Sequence, residues 1–476
     1  MDAGFQVLGH ASMMIKYAGK SLLVDPWLLG FCYWRSWWNF PKVQAGLLDS
    51  VLNIDYIFIT HIHWDHWHGP TLKKFNRNIP IITHREPNSR SIDDLRKIGF
   101  KNIIILNHGE QYKLADGFTI TPYQFGLFLN DSALVVETKD FKLLNANDCK
   151  IAGMPLRHIA DKHGRFDFVF RSHSSANDRI CHTIEGVEET EMDDNVHYAR
   201  SFKIFMDILK PTYAIPFASN HCHLHKDVFD MNSYINDPFI IKEKINGLGG
   251  LSQTELKIML TGDSWDHKDG FNINEANYKC FEYKMPYLHQ YAADVSEKLN
   301  KYYERENSIK ISQKTFTKFF DFFDQLPFWI KSKNKQFLFL LELKWDSKKE
   351  THIVFPFKKE VHPASPDETY PVKVSMPVII FRDAIYQNMS HHSGISKRNR
   401  YIYRSVADFR QFTRLMGALE LIELGFYPLR PGYIGRLLVN YARRWREIFV
   451  YANAFYQKIF LRRKIYTIEE EILLNT

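Results

Sequence analysis

Four side chains of metal-binding type crowd into residues 61–66, within the stretch DYIFITHIHWDHWHG at residues 55–69. They are His61, His63, Asp65 and His66. Two histidines separated by one residue in an extended turn can direct their nitrogens at one ion, and the aspartate and histidine beyond the bend can serve a second. Borderline-soft divalent metals favour imidazole ligands completed by carboxylate. The pattern therefore predicts a two-metal site, and the alternative is a histidine-rich surface loop.

The flanking sequence predicts that this cluster follows a strand. Residues 56–60 are apolar and β-branched, as in a buried strand, and a helix is expected after Gly69-Pro70. Residues 79–107 alternate short strands with one helix, which is the rhythm of a β-α-β unit. Sites in layered α/β folds lie at the carboxyl ends of strands. We therefore predict an α/β fold with the cluster at that edge of a sheet.

Further candidate groups follow later strands. The segment KLLNANDC predicts a buried strand that leads to Asp148, and FDFVFRSHSSAND predicts another that ends at His173, with Asn177 in the small-residue loop behind it. A third strand precedes three alternate histidines, which are His221, His223 and His225. Turn aspartates and ordinary loop histidines are the alternatives at these positions.

Several segments together resemble the metallo-β-lactamase superfamily, and within it the lactamase-like part of the CMP-N-acetylneuraminate hydroxylases. The main ones are GHASMMI, VDPWL, THIHWDHWHGPTLKK, LLNANDC and PFASNHCHLH. The likeness spans roughly residues 5–265. It implies an αββα sandwich that holds two divalent ions, zinc in a hydrolase or iron in an oxygenase. The implied ligands are His61, His63, Asp65, His66, Asp148 and His225.

The resemblance also implies roles beyond the ligand shell. Asp148 would bridge the two ions, and Asp65 and Asp148 would be the catalytic carboxylates. His10 and Asp25 would lie behind the ligands, where Asp25 could orient a ligand histidine. A plain turn aspartate before Pro26 is the alternative for Asp25.

Two departures from the family pattern affect the chemistry. Where the superfamily has a third histidine for the first metal, this chain has Gln124 and Phe125, and Asp131 is a nearby candidate substitute. A Rieske centre needs separated C-x-H and C-x-x-H pairs, and only the spacing Cys222-x-x-His225 occurs. Hydroxylation would then need electrons from a separate protein, whereas hydrolysis would need none.

Three function classes are compatible with these residues. The first is a binuclear hydrolase of an ester, lactone or phosphodiester bond, since two metals can activate a water and stabilise an oxyanion. The second is a non-haem di-iron oxygenase fed by an electron-transfer partner. The third is a binding protein with a degenerate site, which the retained ligand set disfavours. The expected substrate is a small molecule, with an anionic or sugar-nucleotide-like compound as one alternative.

The whole chain sets broad limits. Its 476 residues carry a net charge of +8, which permits an anionic partner without requiring one. Five scattered cysteines, an odd number without C-x-x-C spacing, indicate a reducing compartment, and we expect a cytoplasmic protein. We find no secretory signal at the start of the sequence and no apolar run of bilayer-spanning length.

The chain is predicted to form two domains joined by a connector. Residues 1–285 would be the catalytic domain, residues 286–310 a charged helical connector, and residues 311–476 a smaller α+β domain with a helical end. The last helices mix arginine with aromatic residues. Contact with a membrane or with nucleic acid is one interpretation, and an amphipathic helix packed on the core is the more common one.

An aromatic loop leaves the strand that carries Asp25. It spans residues 31–41 and contains Trp34, Trp37 and Trp38. We predict that these three indoles border the mouth of the site, with packing at a domain interface as the alternative.

Overall fold

The computed structural model describes residues 2–126, 131–174, 176, 178–187, 195–365 and 369–460. Within these ranges the strands form two large sheets, a third sheet and a small three-stranded sheet. The strands of the first half are β1 (Gly4–Val7), β2 (Met13–Tyr17), β3 (Lys20–Val24), β4 (Phe31–Cys32), β5 (Trp37–Asn39), β6 (Tyr56–Ile59), β7 (Ile81–His84), β8 (Ile103–Leu106), β9 (Tyr112–Ala115), β10 (Phe118–Phe125), β11 (Asp131–Thr138) and β12 (Lys142–Asn147). The later strands are β13 (Phe168–Ser172), β14 (His182–Ile184), β15 (Tyr213–Phe217), β16 (His221–His223), β17 (Glu255–Leu256), β18 (Ser264–Asp266), β19 (Gly270–Asn272), β20 (Phe339–Lys344), β21 (Lys349–Phe355), β22 (Glu360–Pro363), β23 (Val372–Pro377) and β24 (Arg400–Tyr403).

Helices cover the sheets and make up most of the C-terminal end of the described chain. The first eight are α1 (Leu47–Ser50), α2 (Gly69–Leu72), α3 (Arg90–Lys97), α4 (Gly153–His163), α5 (Asn195–Leu209), α6 (Pro238–Gly247), α7 (Lys279–Glu282) and α8 (Lys284–Asp294). The remaining ones are α9 (Ser296–Asn307), α10 (Gln313–Asp324), α11 (Phe328–Lys333), α12 (Val378–Gln387), α13 (Ser390–Ile395), α14 (Val406–Glu423), α15 (Pro431–Arg443) and α16 (Trp445–Ile459).

The two large sheets pack face to face. The first has the strand order β19-β18-β1-β2-β3-β6-β7-β8, and the second has the order β17-β15-β13-β12-β11-β10-β9. Alternate apolar residues of both sheets meet in one core, where Phe5 of β1 packs edge-on against Phe168 of β13. Such alternation is what a strand with one face buried requires.

Helices cover the outer faces of this pair of sheets. Leu95 of α3 packs with β6 and β7 on the outer face of the first sheet. Leu156 of α4, Phe202 of α5 and Ile241 of α6 pack on the outer face of the second sheet. The four layers form the predicted αββα sandwich, and the predicted fold class is confirmed.

The third sheet belongs to the second half of the chain but takes one strand from the first half. Its order is β14-β24-β23-β20-β21-β22, and α10, α12 and α14 share a core with it. Strand β14 lies inside residues 1–285, yet it pairs in parallel with β24. The proposed division of the chain at residue 285 stays a prediction, and this strand crosses it.

Two segments differ from the sequence-based prediction, which is one strand over residues 5–17 and another over the run VKVSMPVIIF. Residues 5–17 form two strands instead of one, because the chain turns between Val7 and Met13. The apolar run VKVSMPVIIF is half strand and half helix, since β23 ends at Pro377 and α12 begins at Val378. Proline suits the start of a helix, and an apolar run by itself does not distinguish strand from helix.

Three strands that face the site end in a left-handed residue other than glycine. These residues are Asp25 after β3, Asn147 at the end of β12 and Ala218 after β15, with φ values of 45°, 46° and 51°. Aspartate and asparagine tolerate this region better than most residues. The sharp turn carries the chain away from the sheet at its carboxyl edge.

Among the residues that the structure describes, no helix has the length and apolar character that crossing a bilayer requires. The five cysteines are buried and form no disulfide bond.

Candidate metal centre

The centre lies where parallel strands of the two large sheets end. Strand β6 runs parallel to β3 and β7, and β12 runs parallel to β13, so their carboxyl ends meet at one edge. The turn after β6 carries His61 and His66, and the end of β12 carries Asn147 and Asp148. Local sequence pattern placed these side chains after strands, and the packing of the two sheets brings them together.

His66 is at the middle of the cluster. Its Nε2 atom lies 3.5 Å from Oδ2 of Asp65 and 3.3 Å from Oδ2 of Asp148. Two triads of potential metal-binding side chains share His66: one adds His10 and Asp65, and the other adds His61 and Asp148. In each triad the donor atoms lie within 4.8 Å of one another. Two neighbouring ions could therefore be held around this imidazole and its carboxylates.

A buried carboxylate fixes the orientation of His66. Oδ2 of Asp25 lies 2.7 Å from Nδ1 of His66. The same carboxylate accepts hydrogen bonds from the backbone amide and hydroxyl of Thr60 and from the side-chain amide of Asn147. This contact requires a proton on Nδ1 of His66, so that Nε2 is the nitrogen that faces Asp65 and Asp148.

Asp65 is buried and held from two sides. The Tyr33 hydroxyl donates to Oδ1 at 2.5 Å, and Nε2 of His10 lies 3.1 Å from Oδ2. Burial alone would raise the pKa of Asp65, but His66 and His10 outweigh it and hold this pKa well below its usual range. The carboxylate is therefore ionised at neutral pH.

The imidazoles divide into two electrostatic types. Burial lowers the pKa of His61, and its neighbours His66 and His63 lower it further. Burial would also lower the pKa of His66, but Asp65 and Asp25 raise it well above the usual value. His61 is thus a neutral donor, with its Nε2 atom 2.8 Å from Nδ1 of His63. The surroundings of His66 attract a positive charge, which a metal ion would supply in place of a proton.

The aromatic loop packs against the cluster through one of its three tryptophans. The Trp37 ring stacks on His221 with centroids 3.6 Å apart and lies 6.0 Å from the His10 ring. Trp34 donates its indole proton to Asp383 of α12, and Trp38 packs on Tyr291 of α8. All three indoles are buried. Only Trp37 contacts a histidine near the cluster, and the other two lie in the interface with later helices.

His225 does not join the other implied ligands. Its Nε2 atom lies 3.6 Å from Glu306 of α9, and its ring packs edge-on against Tyr303. The geometry therefore does not support His225 as a ligand. His221 is better placed, because its ring lies 5.6 Å from the His10 ring and its Nε2 atom has no hydrogen-bond partner.

Gln124 points to the protein interior but is already engaged. Its amide donates to the carbonyl of Arg85 at 2.9 Å, and its oxygen lies 3.4 Å from Nδ2 of Asn440 on α15. Asp131 begins β11 opposite Phe125 in the register. These contacts give Gln124 a structural partner in place of a metal.

The remaining candidates lie around the cluster. His173 is fully buried at the end of β13, and burial together with His10 lowers its pKa to about 3. His223 directs Nδ1 to the Ser36 carbonyl at 3.2 Å. Asn177 lies outside the described residues. His173 is therefore a neutral imidazole beside His10, and His223 is bound to the aromatic loop.

Two further side chains contact the cluster without any sequence signal that singled them out. Tyr33 belongs to the aromatic loop, where tryptophans dominated the pattern. His392 belongs to α13, more than 300 residues further along the chain, and its ring lies 5.7 Å from that of His63. The aromatic loop as a whole is conspicuous in the sequence, but its pattern does not single out Tyr33, and nothing local marks His392.

Comparison with known proteins gives one family match. Residues 5–196 match the family model described as a beta-lactamase superfamily domain. A stretch of 149 residues is 31% identical to the cytidine monophosphate-N-acetylneuraminic acid hydroxylase of Mus musculus, which is 30% of this chain and 26% of that protein. The chain thus matches about a quarter of the length of this curated relative.

Solved structures give similar matches at low identity. An isothiocyanate hydrolase from Delia radicum gut bacteria aligns with a TM-score of 0.42 and 15% identity over 55% of this chain and 98% of its own. CmlA, a diiron beta-hydroxylase from Streptomyces venezuelae, aligns with a TM-score of 0.37 and 16% identity over 55% of this chain and 54% of its own.

The sandwich of two sheets, the cluster at their common edge and the family match over residues 5–196 agree with one another. The match of residues 5–196 to the beta-lactamase superfamily domain agrees with the superfamily recognised in the sequence.

Proposed function

We propose that the chain is a metal-dependent hydrolase that acts on an ester, lactone or phosphodiester bond of a small molecule. One observation carries this proposal: the Nε2 atom of His66 lies within 3.5 Å of both Asp65 and Asp148, while Nδ1 is held by Asp25. A histidine oriented by a buried carboxylate and facing two more carboxylates is the arrangement of a ligand.

The donor set fits divalent ions. The Nε2 atom of His221 is buried and has no hydrogen-bond partner, while the Nε2 atoms of His10 and His66 face carboxylate oxygens at 3.1 and 3.3 Å. A buried polar atom without a partner is costly, and coordination to a metal would satisfy it. Imidazole and carboxylate together suit both zinc and iron. We therefore propose two ions at this site, with His61, His63, Asp65, His66 and Asp148 as ligands.

Two such ions would supply a water activated at neutral pH and positive charge to stabilise an oxyanion. The residues of this chain prepare the site for that chemistry. Asp25 holds the proton of His66 on Nδ1, and Tyr33 holds Asp65 in one orientation. Buried Trp37 and Trp27 flank His10 and exclude solvent from that side.

An arginine-lined cleft supports an anionic substrate. It has a volume of about 660 Å³ and lies between α3, the ends of β7 and β8, and α15. Its cationic lining residues are Arg85, Arg96, Arg436 and Arg443. Glu86, which also lines this cleft, lies 3.8 Å from His84 at the end of β7. Guanidinium groups bind phosphate and carboxylate in a bidentate manner. An anionic small molecule, such as a sugar nucleotide, would match this lining.

A second candidate is a non-haem di-iron oxygenase. The 31% identity to a hydroxylase over 149 residues favours it. The same nitrogen and carboxylate donors suit iron, and the reaction would need electrons from a separate protein. We further propose a cytoplasmic location, in keeping with five unpaired cysteines.

Metal analysis of the full chain, purified without added metal, tests both candidates. Zinc together with hydrolysis of p-nitrophenyl phosphodiesters or of a lactone supports the hydrolase. Iron together with reductant-dependent oxygen uptake supports the oxygenase. The variant Asp148→Ala should lose bound metal, and the matched control Asp140→Ala, an exposed aspartate in the preceding turn, should keep it. Retention of full metal content by Asp148→Ala would refute the proposed centre.

A further inference from the structure

We propose that α15 and α16 form a docking surface for an anionic lipid bilayer, on which the protein rests without crossing it. The surface consists of exposed apolar side chains with arginines at its margin. We call it the apolar face, and its members are Ile434, Leu438, Trp445, Ile448, Phe449, Phe455 and Tyr456. This inference is independent of the reaction at the metal centre.

The spacing of the apolar face is that of a helix stripe. Leu438 follows Ile434 by four residues, and Phe449 follows Trp445 by four. Such positions lie on one side of a helix. The opposite side of α16 carries the buried residues Glu447, Val450 and Gln457. The helix therefore has an apolar side in solvent as well as a side packed on the protein.

Polar contacts fix which side of α16 faces outward. The fully buried guanidinium of Arg444 donates to the Gly126 carbonyl at 2.6 Å and pairs with Glu447. Glu447 also accepts the Gly126 amide at 2.8 Å and the Tyr451 hydroxyl at 2.9 Å. Rotating α16 to bury its apolar face would break these bonds and leave buried charges unpaired.

Exposed apolar side chains are concentrated in this part of the molecule. Of the twenty large hydrophobic residues that are exposed within the described ranges, ten lie between residues 429 and 460. Scattered exposed hydrophobics are ordinary, but a contiguous apolar patch marks an interaction surface. Leu438 is 65% exposed and Phe455 is 63% exposed, so their side chains stand in solvent.

The charges of the same segment identify the partner. Residues 429–460 contain five arginines, one lysine and a single acidic residue, Glu447, which is buried against Arg444. Arg430 is exposed at the start of α15, and the Arg446 guanidinium lies over the Trp445 ring. A second copy of this chain would bring like charges together, whereas anionic headgroups would neutralise them. Tryptophan at the margin of an apolar face is also typical of bilayer interfaces.

The length of the two helices excludes a spanning role for either one. Helices of 13 and 15 residues are about 20 and 22 Å long, shorter than the ~30 Å of a hydrocarbon core. A short helix with an apolar side and basic residues at its margins lies in the plane of the interface, with its apolar side among the acyl chains. The face would thus hold the protein on one leaflet.

The test uses the full chain and vesicle flotation. Vesicles of phosphatidylcholine are compared with vesicles that also contain phosphatidylglycerol. We expect the wild-type chain to bind the anionic vesicles, and the variant Leu438→Ser/Phe449→Ser/Phe455→Ser to bind them about tenfold less or worse. The matched control is Tyr283→Ser/Phe328→Ser/Trp329→Ser, which removes equally exposed apolar residues elsewhere and should bind like wild type.

Charge and depth are tested separately. The variant Arg430→Gln/Arg446→Gln should lower binding to anionic vesicles by about tenfold, and added salt should do the same. Brominated lipids should quench wild-type fluorescence more than that of Trp445→Phe, since Trp445 would lie at the acyl boundary. This measurement does not use the triple variant, so it tests the proposal even where the triple variant is poorly folded.

Several outcomes would overturn the inference. Wild-type protein that floats with neither type of vesicle would do so, as would an equal loss of binding by the control variant. Binding that appears only after residues 461–476 are removed would show that this segment covers the face. Light scattering that shows a dimer in wild type and a monomer in the triple variant would show that a second copy covers it.

Discussion

The Nδ1 atom of His66 lies 2.7 Å from Oδ2 of Asp25, in the fully buried space between the ends of β3 and β6. Asp25 in turn accepts bonds from Thr60 and Asn147, so the orientation of one imidazole depends on residues of three strand ends. The ligand atoms of the centre are therefore positioned by polar side chains that would not touch a metal themselves.

Replacing Asp25 with asparagine should weaken metal binding. The neutral amide can no longer enforce the Nδ1–H tautomer, and we expect metal affinity to fall by about 10- to 100-fold. Competition titration with a chelator measures the change. The control Asp55→Asn removes an aspartate that pairs with Lys20 and Ser21 at the other end of β3, and its metal affinity should be unaltered. Equal affinities of Asp25→Asn and wild type would show that Asp25 does not orient His66 for a metal.

Gln124→His should cost stability without tightening metal binding. Gln124 bonds the Arg85 carbonyl and Asn440, and imidazole cannot reproduce both contacts. We expect the free energy of unfolding to fall by about 1–3 kcal/mol in urea titrations. From the family pattern alone, the same substitution would restore a third histidine and tighten binding. Tighter metal binding by Gln124→His would therefore contradict this prediction and show that position 124 lies in the ligand shell.

Arg398→Ala should strongly destabilise the contact between the two halves of the chain. The buried guanidinium pairs with Glu306 at 2.6 Å and Asp227 at 2.7 Å and also donates to the Trp34 carbonyl. Its removal leaves two carboxylates without their cation, which typically costs about 3–5 kcal/mol. Urea unfolding of Arg398→Ala is compared with that of Arg404→Ala, an exposed arginine whose loss should change little. Similar midpoints for both variants would contradict the assignment.

The stability of the metal-free protein should depend on Glu86 above pH 4.5. Burial, with Asp131 as a smaller cause, raises the pKa of Glu86 from 4.5 to about 8. The unfolded chain therefore ionises first, and the stabilisation present below pH 4.5 is lost as the pH rises towards 8, at up to about 1.4 kcal/mol per pH unit. Glu86→Gln should flatten this slope in unfolding measured with chelator present, whereas the exposed control Glu282→Gln should retain it. An unchanged slope in Glu86→Gln would show that this carboxyl ionises freely in the folded protein.

Much of the metal centre and of the sandwich can be predicted from local sequence patterns. His61, His66 and Asp148 each follow an apolar strand, and strand periodicity is a short-range signal that reads directly from the sequence. The same holds for β6, β12 and β13, whose carboxyl ends the pattern identified. Strand ends define a common edge only because parallel strands meet there, which the β-α-β rhythm also indicates.

Contacts between distant parts of the chain could not be read in this way. The Tyr33 hydroxyl donates a hydrogen bond to Asp65. The Asn440 amide lies beside the Gln124 oxygen, although these two residues are more than 300 positions apart in the sequence. The family pattern favours His225 as the ligand, but β16 places His221 against Trp37, and the chain beyond β16 carries His225 to Glu306. Alternate residues of a strand share one face, so strand periodicity cannot distinguish His221 from His225, and the direction of His225, beyond the end of β16, depends on tertiary packing.

The long reach of these contacts also determines when the centre can form. Trp37 bonds Ile395 and Asn440 bonds Arg85, so segments more than 350 residues apart must meet before the aromatic loop and the end of β7 are enclosed. Closing such long loops carries an entropic cost and slows folding. During synthesis, the ligand-bearing half emerges well before its covering helices. The order of events at the ribosome would thus leave the nascent site open to the solvent until nearly the whole chain is made.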